Sequence, residues 1–313
     1  DAGELLLPEH LGATLLTPLL DHVDAHPDHA AEIAVALGAI LAPVDDTDLA
    51  ARPDLLLRCV THVGRDIRQH FYPVIRRLCA ADLAFCLAFS SRVLDAVSGR
   101  TERDLSKFAV GLIDVLGQLI SAADDAALAD EELVFGLCVH AHPALSRVAG
   151  PLVRRLSVSM PGTAIAVAIR LLSGFGQPDS SPAPGLGHYK VIFSTLSDAV
   201  HLDHPELIVQ TLRHGRQSLF LDAWQKMKEL VTAHPDCGRT FAEALVSLLL
   251  WKEKFPDAHK MLVEIIHEDL SPWLDRISAK LTWRLLKART VAAQELGCLL
   301  YTSPSPRDGT NSR

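Results

Sequence analysis

Apolar residues recur along almost the whole chain at intervals of three and four residues, the spacing that places them on one face of an α-helix. Leu11, Leu15 and Leu19 form one such series, and Val110 and Ile113 begin another. The strict alternation of polar and apolar residues that marks a half-buried strand is scarce. The sequence therefore predicts an all-α protein.

Helix start and stop signals divide this pattern into about fifteen predicted helices. The dipeptide His-Pro marks four of the boundaries, at residues 26–27, 142–143, 204–205 and 234–235. Proline cannot continue a helix but fits the first position of the next one. The helices are predicted near residues 8–24, 28–42, 46–63, 66–80, 82–97, 101–122, 130–141, 143–158, 162–174, 188–201, 205–215, 217–233, 239–253, 256–268 and 272–296.

Helix pairs of about 35–40 residues joined by short connections are typical of stacked helical repeats. We therefore expect a right-handed solenoid of antiparallel helix pairs, similar to HEAT, armadillo or tetratricopeptide arrays, although the tetratricopeptide consensus is absent. The one long Gly/Pro/Ser-rich stretch, residues 174–187, is interpreted as a loop or linker. It would separate HEAT-like repeats at 1–173 from a second helical segment at 188–297.

The amino-acid composition changes at the end of the chain. Residues 298–308 resemble the conceptual translation of a sequencing-library adapter, and the alternative is a natural Ser/Pro-rich tail. We expect residues 298–313 to be a non-native, disordered tail and the protein itself to continue beyond Gly297. The chain begins at Asp1 without a methionine, which indicates a processed or incomplete product.

Composition excludes several classes of protein. The formal net charge of −8 argues against a strongly basic nucleic-acid binder, and 49% hydrophobic residues argue against disorder. No uninterrupted apolar run approaches the ~20 residues of a membrane span, so no membrane partner is expected. The six cysteines form no CxxC pair and indicate a reducing compartment, which we take as the cytoplasm.

Two histidine-rich segments have the spacing of metal ligands. His22 and His26 would share a helix face, and Cys138 and His142 would do the same around His140. Proline follows the histidine in both segments, so polar helix ends explain them more simply. His201 and His204 straddle another helix end, and the glycines near 174–176 and 185–187 lack the strand of a phosphate loop. We expect no metal, cofactor, catalytic residue or small-molecule substrate.

The last predicted helix, 272–296, carries a basic face with two tryptophans. Counted at 100° per residue, this face points away from the apolar stripe of the same helix. Basic and aromatic residues together favour an acidic protein partner or, less strongly, RNA. The alternative is that both tryptophans pack against a further element beyond Gly297 and that the cations are solvated. The candidate partner-binding residues are Trp273, Arg276, Lys280, Trp283, Arg284 and Lys287.

Four segments of the second half carry a family resemblance. They are Arg170–Ser173 before the polar loop, Tyr189–Val191, Phe241–Val246 and Asp257–Ile266. In this order they resemble the helical-repeat part of PCI-domain proteins, found in the proteasome lid, the COP9 signalosome and eukaryotic translation initiation factor 3. The order of segments is most similar to the subunit M family of that factor. The resemblance implies an assembly subunit with no catalytic residues.

We therefore expect a non-enzymatic scaffold or subunit of a multiprotein assembly, whose partners are other protein subunits. The alternative is a generic HEAT or armadillo adaptor, such as a nuclear transport receptor or a phosphatase or cytoskeletal scaffold. A third hypothesis is an enzyme with an unfamiliar helical active site, which would gain support if several of His22, His26 and His140 converged in one pocket.

Overall fold

The computed structural model describes residues 9–41, 44–98, 100, 103–175 and 183–302, without the side chains of residues 9–14 and 41. Every regular element in these ranges is a helix, which confirms the predicted all-α class. The α-helices of these ranges are α1 (Glu9–Ala25), α2 (Ala30–Leu41), α3 (Asp46–Ala50), α4 (Pro53–Val60), α5 (Arg65–Ala81), α6 (Leu83–Val97), α7 (Arg103–Ala122), α8 (Asp125–Leu128), α9 (Glu131–Cys138), α10 (Pro143–Ser159), α11 (Pro161–Gly174), α12 (Leu186–Thr195), α13 (Asp198–Asp203), α14 (Pro205–Arg213), α15 (Gln217–Ala233), α16 (Gly238–Leu248), α17 (Ala258–Asp269), α18 (Ala279–Leu286) and α19 (Val291–Thr302). Short 3₁₀ helices span Pro27–His29, Pro235–Cys237 and Ser271–Arg276.

Proline begins a helix at every His-Pro boundary, as the sequence predicts. Pro143 and Pro205 are the first residues of α10 and α14, and Pro27 and Pro235 begin 3₁₀ helices. The missing amide hydrogen costs nothing there, because the first amides of a helix have no partner within it. These prolines therefore fix where one helix ends and the next begins.

The chain divides into two compact units, residues 1–152 and 153–313. This division falls within α10 and differs from the predicted boundary at 174–187. In the second unit α11 packs against α12, and the Phe175 ring meets the Tyr189 ring edge-on at 5.8 Å between centroids. The two sides of the Gly/Pro-rich loop thus belong to one packed unit, while residues 176–182 lie outside the described residues.

The first unit is held together by α5. This helix packs against α2, α4, α6 and α7, while α1 packs against α2 and α6 against α7. The rings of Phe71, Phe89 and Phe108 are at most 1% exposed. Burial of such side chains supplies about 1.5–3 kcal/mol each, so α5 and its neighbours form the core of this unit.

A buried arginine on α5 ties the turn before the helix to α7. The Arg68 guanidinium, 5% exposed, donates to the carbonyl oxygens of His62 and Val63 at 2.6 and 3.0 Å. It also pairs with the Asp104 carboxylate at 2.8 Å. Burial would lower the pKa of Arg68, but the hydrogen bond and charge of Asp104 outweigh it and the pKa is raised. The cation therefore stays charged inside the unit.

Helix α7 is also long and apolar enough, by length and composition alone, to cross a membrane. Polar residues interrupt the apolar residues of this helix, but its mean hydropathy is still 1.4. Its residues Leu105, Phe108, Leu112 and Leu116 are buried inside the first unit. A core helix passes the same test, so this observation assigns no location.

The second unit is built from packed neighbours in the same way. Helix α14 packs against α15 and α16, α17 against α16 and α19, and α18 against α19. The Tyr189 hydroxyl hydrogen-bonds to the buried Thr211 hydroxyl, and Trp224 Nε1 donates to Asp269 at 2.8 Å. These two hydrogen bonds pair polar side chains where the helices meet.

Helix α19 extends through Thr302, five residues into the segment predicted as a disordered tail. The turn is closed by the Thr302 hydroxyl, which donates to the Cys298 carbonyl at 3.0 Å. A helix grows readily once its first turns are anchored, and Ala293 and Leu296 anchor them in the core. Residues 303–313 of the predicted tail lie outside the described residues.

Arg68 provides a test of this packing. We expect Arg68→Met to lower the free energy of unfolding by about 3–5 kcal/mol, because Asp104 would be left without its partner. The matched control is Arg77→Met on the same helix, whose exposed pair with Asp46 should be worth no more than about 1 kcal/mol. Urea denaturation followed by circular dichroism measures both, and equal losses would contradict the assigned role.

His201 predicts the pH dependence of stability. This residue is fully buried, and burial lowers its pKa below the ordinary 6.5 despite the hydrogen bond from Nε2 to the Phe193 carbonyl. As the pH falls through about 6.5, His201 takes up a proton in the unfolded chain but stays neutral in the folded chain. The free energy of unfolding therefore falls as the pH falls.

We expect His201→Gln, which keeps a donor for Phe193, to flatten this slope between pH 7 and 5. The exposed His204→Gln serves as the control and should alter the slope less than His201→Gln does. Urea titrations at several pH values measure the effect. An unaltered slope in His201→Gln would refute the assignment.

Candidate partner-binding surface

Helix α18 is defined by a cap and by one buried face. The Ser278 hydroxyl accepts a hydrogen bond from the Leu281 amide at 3.3 Å, which satisfies one of the free donors of the first turn. Leu285 is completely buried and Thr282 is 8% exposed. This inner face packs against α19 and fixes which side chains point to solvent.

The outer face of α18 carries four of the six predicted residues. Lys280, Trp283, Arg284 and Lys287 follow the spacing i, i+3, i+4, i+7, and all four are exposed. The Trp283 side chain is 55% exposed, and the Lys287 ammonium lies 4.9 Å from its ring centroid. This distance allows a cation–π interaction. We call these four residues the α18 face.

The α18 face has a uniform positive sign. Residues 279–290 contain Lys280, Arg284, Lys287 and Arg289 and no carboxylate. Within the part of the chain that the structure describes, none of these cations forms an ion pair. Uncompensated charge of one sign beside an exposed indole is suited to an anionic partner.

Trp273 and Arg276 do not belong to this face. The single helix predicted over 272–296 is wrong, because the chain forms a 3₁₀ helix at Ser271–Arg276, breaks at Ile277 and restarts at α18. Ile277 is extended and Ser278 caps the new helix, so the wheel that joined the six residues does not apply. Arg276 is exposed on the separate 3₁₀ helix.

Trp273 is instead a packing residue. A β-carbon added at Gly238, the first residue of α16, would lie 2.4 Å from the Trp273 ring. The indole therefore occupies the space that a side chain at 238 would fill, and it is half-buried. Trp273 therefore packs within the second unit, whereas the Trp283 side chain is 55% exposed.

Helix α19 adds exposed apolar side chains that the sequence reasoning missed. Val291, Leu299 and Tyr301 are 68%, 43% and 69% exposed. The helix comes so close to α18 that a β-carbon at Gly297 would lie 2.8 Å from the Leu286 amide nitrogen. The helical periodicity of residues 291–302 could have indicated this helix. The interpretation of residues 298–313 as a tail excluded Leu299 and Tyr301 from it.

The first histidine segment forms a cluster at the end of α1. The His22 ring centroid lies 4.7 Å from that of His26 and 5.7 Å from that of His29, and all three are exposed. The neighbouring Asp24 is held by Arg58 at 2.5 Å, a hydrogen bond that keeps the pKa of Asp24 below its usual range. Among the described residues, no group of three or more His, Cys, Asp or Glu is arranged to hold a metal ion.

The second histidine segment is divided between core and surface. Cys138 is buried, which raises its pKa to about 12 and keeps the thiol protonated. His140 Nδ1 accepts from the His142 amide at 3.1 Å, and His142 pairs with Asp95 at 2.7 Å. The contacts of His140 are thus with its own segment, and none of its described contacts is to His22 or His26.

The remaining candidates are also structural. His201 is buried, and His204 pairs with Glu206 at 3.0 Å. Gly185 has φ 81°, in the left-handed region that suits glycine, and caps α12. No strand precedes it in the described ranges, and Gly176 lies outside them.

A groove in the first unit was not predicted. It lies between α7 and α10, has a volume of about 970 Å³ and is lined mainly by apolar side chains. Val110, on its α7 wall, is 61% exposed. Val110 and Ile113 belong to one apolar series in the sequence, but packing against distant parts of the chain decides which members of that series are buried.

Comparison with known proteins finds no family model that matches the chain and no match among curated proteins.

The two tryptophans should respond differently to removal. We expect Trp273→Ala to cost about 3 kcal/mol of unfolding free energy, because it leaves a void against Gly238. Trp283→Ala should change stability by less than about 0.5 kcal/mol, as for other exposed positions. Urea denaturation measures both, and acrylamide quenching should affect Trp283 more than Trp273. Similar losses in the two variants would contradict the assignment.

Proposed function

We propose that this chain is a non-enzymatic scaffold subunit of a multiprotein assembly and that the α18 face binds an acidic segment of a partner subunit. The observation that carries the proposal is the α18 face itself: three cations and a half-exposed indole on one side of a capped helix. Aromatic and arginine side chains dominate the binding energy of protein interfaces. Complementary charge adds speed and specificity to association.

The architecture we propose for this subunit is a right-handed solenoid of antiparallel helix pairs. Its support is the packing of successive helices in each unit, such as α5 with α6 and α14 with α15. Stacked repeats form extended surfaces that suit assembly subunits. The resemblance of the second half to PCI-domain proteins favours a cytoplasmic assembly of the initiation factor 3 type.

The experiment is affinity purification of the tagged full-length chain from a cell extract, with the bound proteins quantified by mass spectrometry. A scaffold subunit should retain a reproducible set of partners in near-stoichiometric amounts. The triple variant Lys280→Glu, Arg284→Glu, Lys287→Glu should lower that recovery at least about tenfold, because it reverses the sign of the face.

The matched control reverses three exposed cations elsewhere in the second unit. Lys252→Glu, Lys254→Glu, Lys260→Glu makes the same change in net charge and should retain the partners. Purification of the chain alone, or equal loss in both triple variants, would overturn the scaffold proposal. Partners other than initiation factor subunits would overturn its initiation factor part, and partners from none of the three PCI-containing assemblies would overturn its PCI part.

A further inference from the structure

The groove between α7 and α10 has walls that consist of complete helix faces. Along α7 the lining residues follow the spacing i, i+3, i+4, i+7, i+8 from Val110, and along α10 they follow i, i+3, i+4, i+7 from Ala144. The α7 wall extends from residue 110 to 122, so the groove is about 18 Å long at ~1.5 Å per residue. That length matches about three turns of helix.

The chemistry of the lining narrows the class of occupant. Val110, Ile113, Val148 and Pro151 supply aliphatic surface, and the named lining residues include no aromatic side chain. A proline-rich ligand requires an aromatic-lined groove, and an added strand requires an exposed sheet edge. No sheet edge exists in the described ranges. An aliphatic groove of this length is suited to the apolar face of an amphipathic helix.

Two charges give the groove a direction. Asp114 lies on the α7 wall and Arg147 on the α10 wall, and they are the charged residues of the lining. Arg147 is oriented by a hydrogen bond from its Nε to the Pro143 carbonyl. A helix that binds between the walls would therefore match them with a basic residue on one flank and an acidic residue on the other. The small residues Gly117 and Ala144 leave room for close approach of its backbone.

We propose that this groove binds an amphipathic α-helix of a partner protein, about three turns long, with an aliphatic stripe flanked by one cation and one carboxylate. The site is independent of the α18 face. The triple charge reversal on α18 should therefore leave it unaffected, and either proposal can fail without the other.

The test uses a fluorescein-labelled peptide of about 15 residues. It carries leucines at i, i+3, i+4, i+7 and i+11, a lysine on one flank, a glutamate on the other and alanines elsewhere. A second peptide has the same composition with the leucines scrambled off one face. Fluorescence anisotropy with the full chain should show micromolar binding of the first peptide, and circular dichroism should show that it becomes helical.

The variant Val110→Glu should weaken binding at least about tenfold, since it places a charge on the apolar wall. Val35→Glu on α2, at a valine that is 68% exposed, is the control and should bind normally. Both positions are exposed, so neither variant should disturb folding. The double variant Asp114→Lys, Arg147→Glu should prefer a peptide whose lysine and glutamate are exchanged.

Three results would overturn the proposal. Equal binding of the scrambled peptide would reveal nonspecific apolar contact. Absence of binding at the highest soluble peptide concentration would exclude a helix of this class. Self-association that Val110→Glu abolishes, seen by sedimentation, would mean that a second copy of this chain covers the groove.

Discussion

Short helices need neighbours, and this requirement shapes both units. The longest α-helix in the described ranges, α7, has twenty residues, and proline is the first residue of four others, α4, α10, α11 and α14. Isolated helices of such lengths are marginal in water, so each one must bury an apolar face against another. Where proline fixes the start of a helix, it therefore also limits the length of the apolar face that the helix can bury against its neighbours.

The same requirement locates the surfaces open to partners. Where a helix face is apolar or charged and no neighbour covers it, the energy of covering it remains to be gained by binding. The α18 face is the charged case and the groove between α7 and α10 is the apolar case. The α18 face can be recognised from a single helix, whereas the groove is formed by two helices whose first lining residues, Val110 and Ala144, are 34 positions apart in the chain.

Sequence reasoning succeeded where the determining interactions are local. The all-helical class and the proline-marked helix starts follow from period and backbone chemistry alone. The break at Ile277 was missed because Leu274, Ile277, Leu281 and Leu285 continue the apolar spacing across it. Residues 272–296 instead belong to three elements, the 3₁₀ helix, α18 and the start of α19. The cap at Ser278 marks the first of the two breaks, and a periodicity argument gives such a cap little weight.

The candidate surface shows the same division. Lys280, Trp283 and Arg284 lie within α18 and Lys287 directly follows it, so these four residues keep their predicted relation. Trp273 is separated from them by its contact with Gly238, 35 positions earlier in the chain. In the groove, the series from Val110 through Ile113 to Leu116 steps by three residues and so drifts around the helix by about 60° at each step. Its last member is buried and its first is exposed. Spacing alone could not indicate where along that drift the core ends.

The distribution of aromatic residues makes the two units spectroscopically distinct. All four tryptophans of the chain lie between residues 224 and 283, in the second unit. The first unit has no tryptophan and one tyrosine, Tyr72, which stacks on Phe108 at 4.0 Å between centroids. Tryptophan emission therefore monitors the second unit alone, while far-ultraviolet dichroism sums the helices of both. Whether the two signals change together is a direct measure of how strongly the units share one cooperative transition.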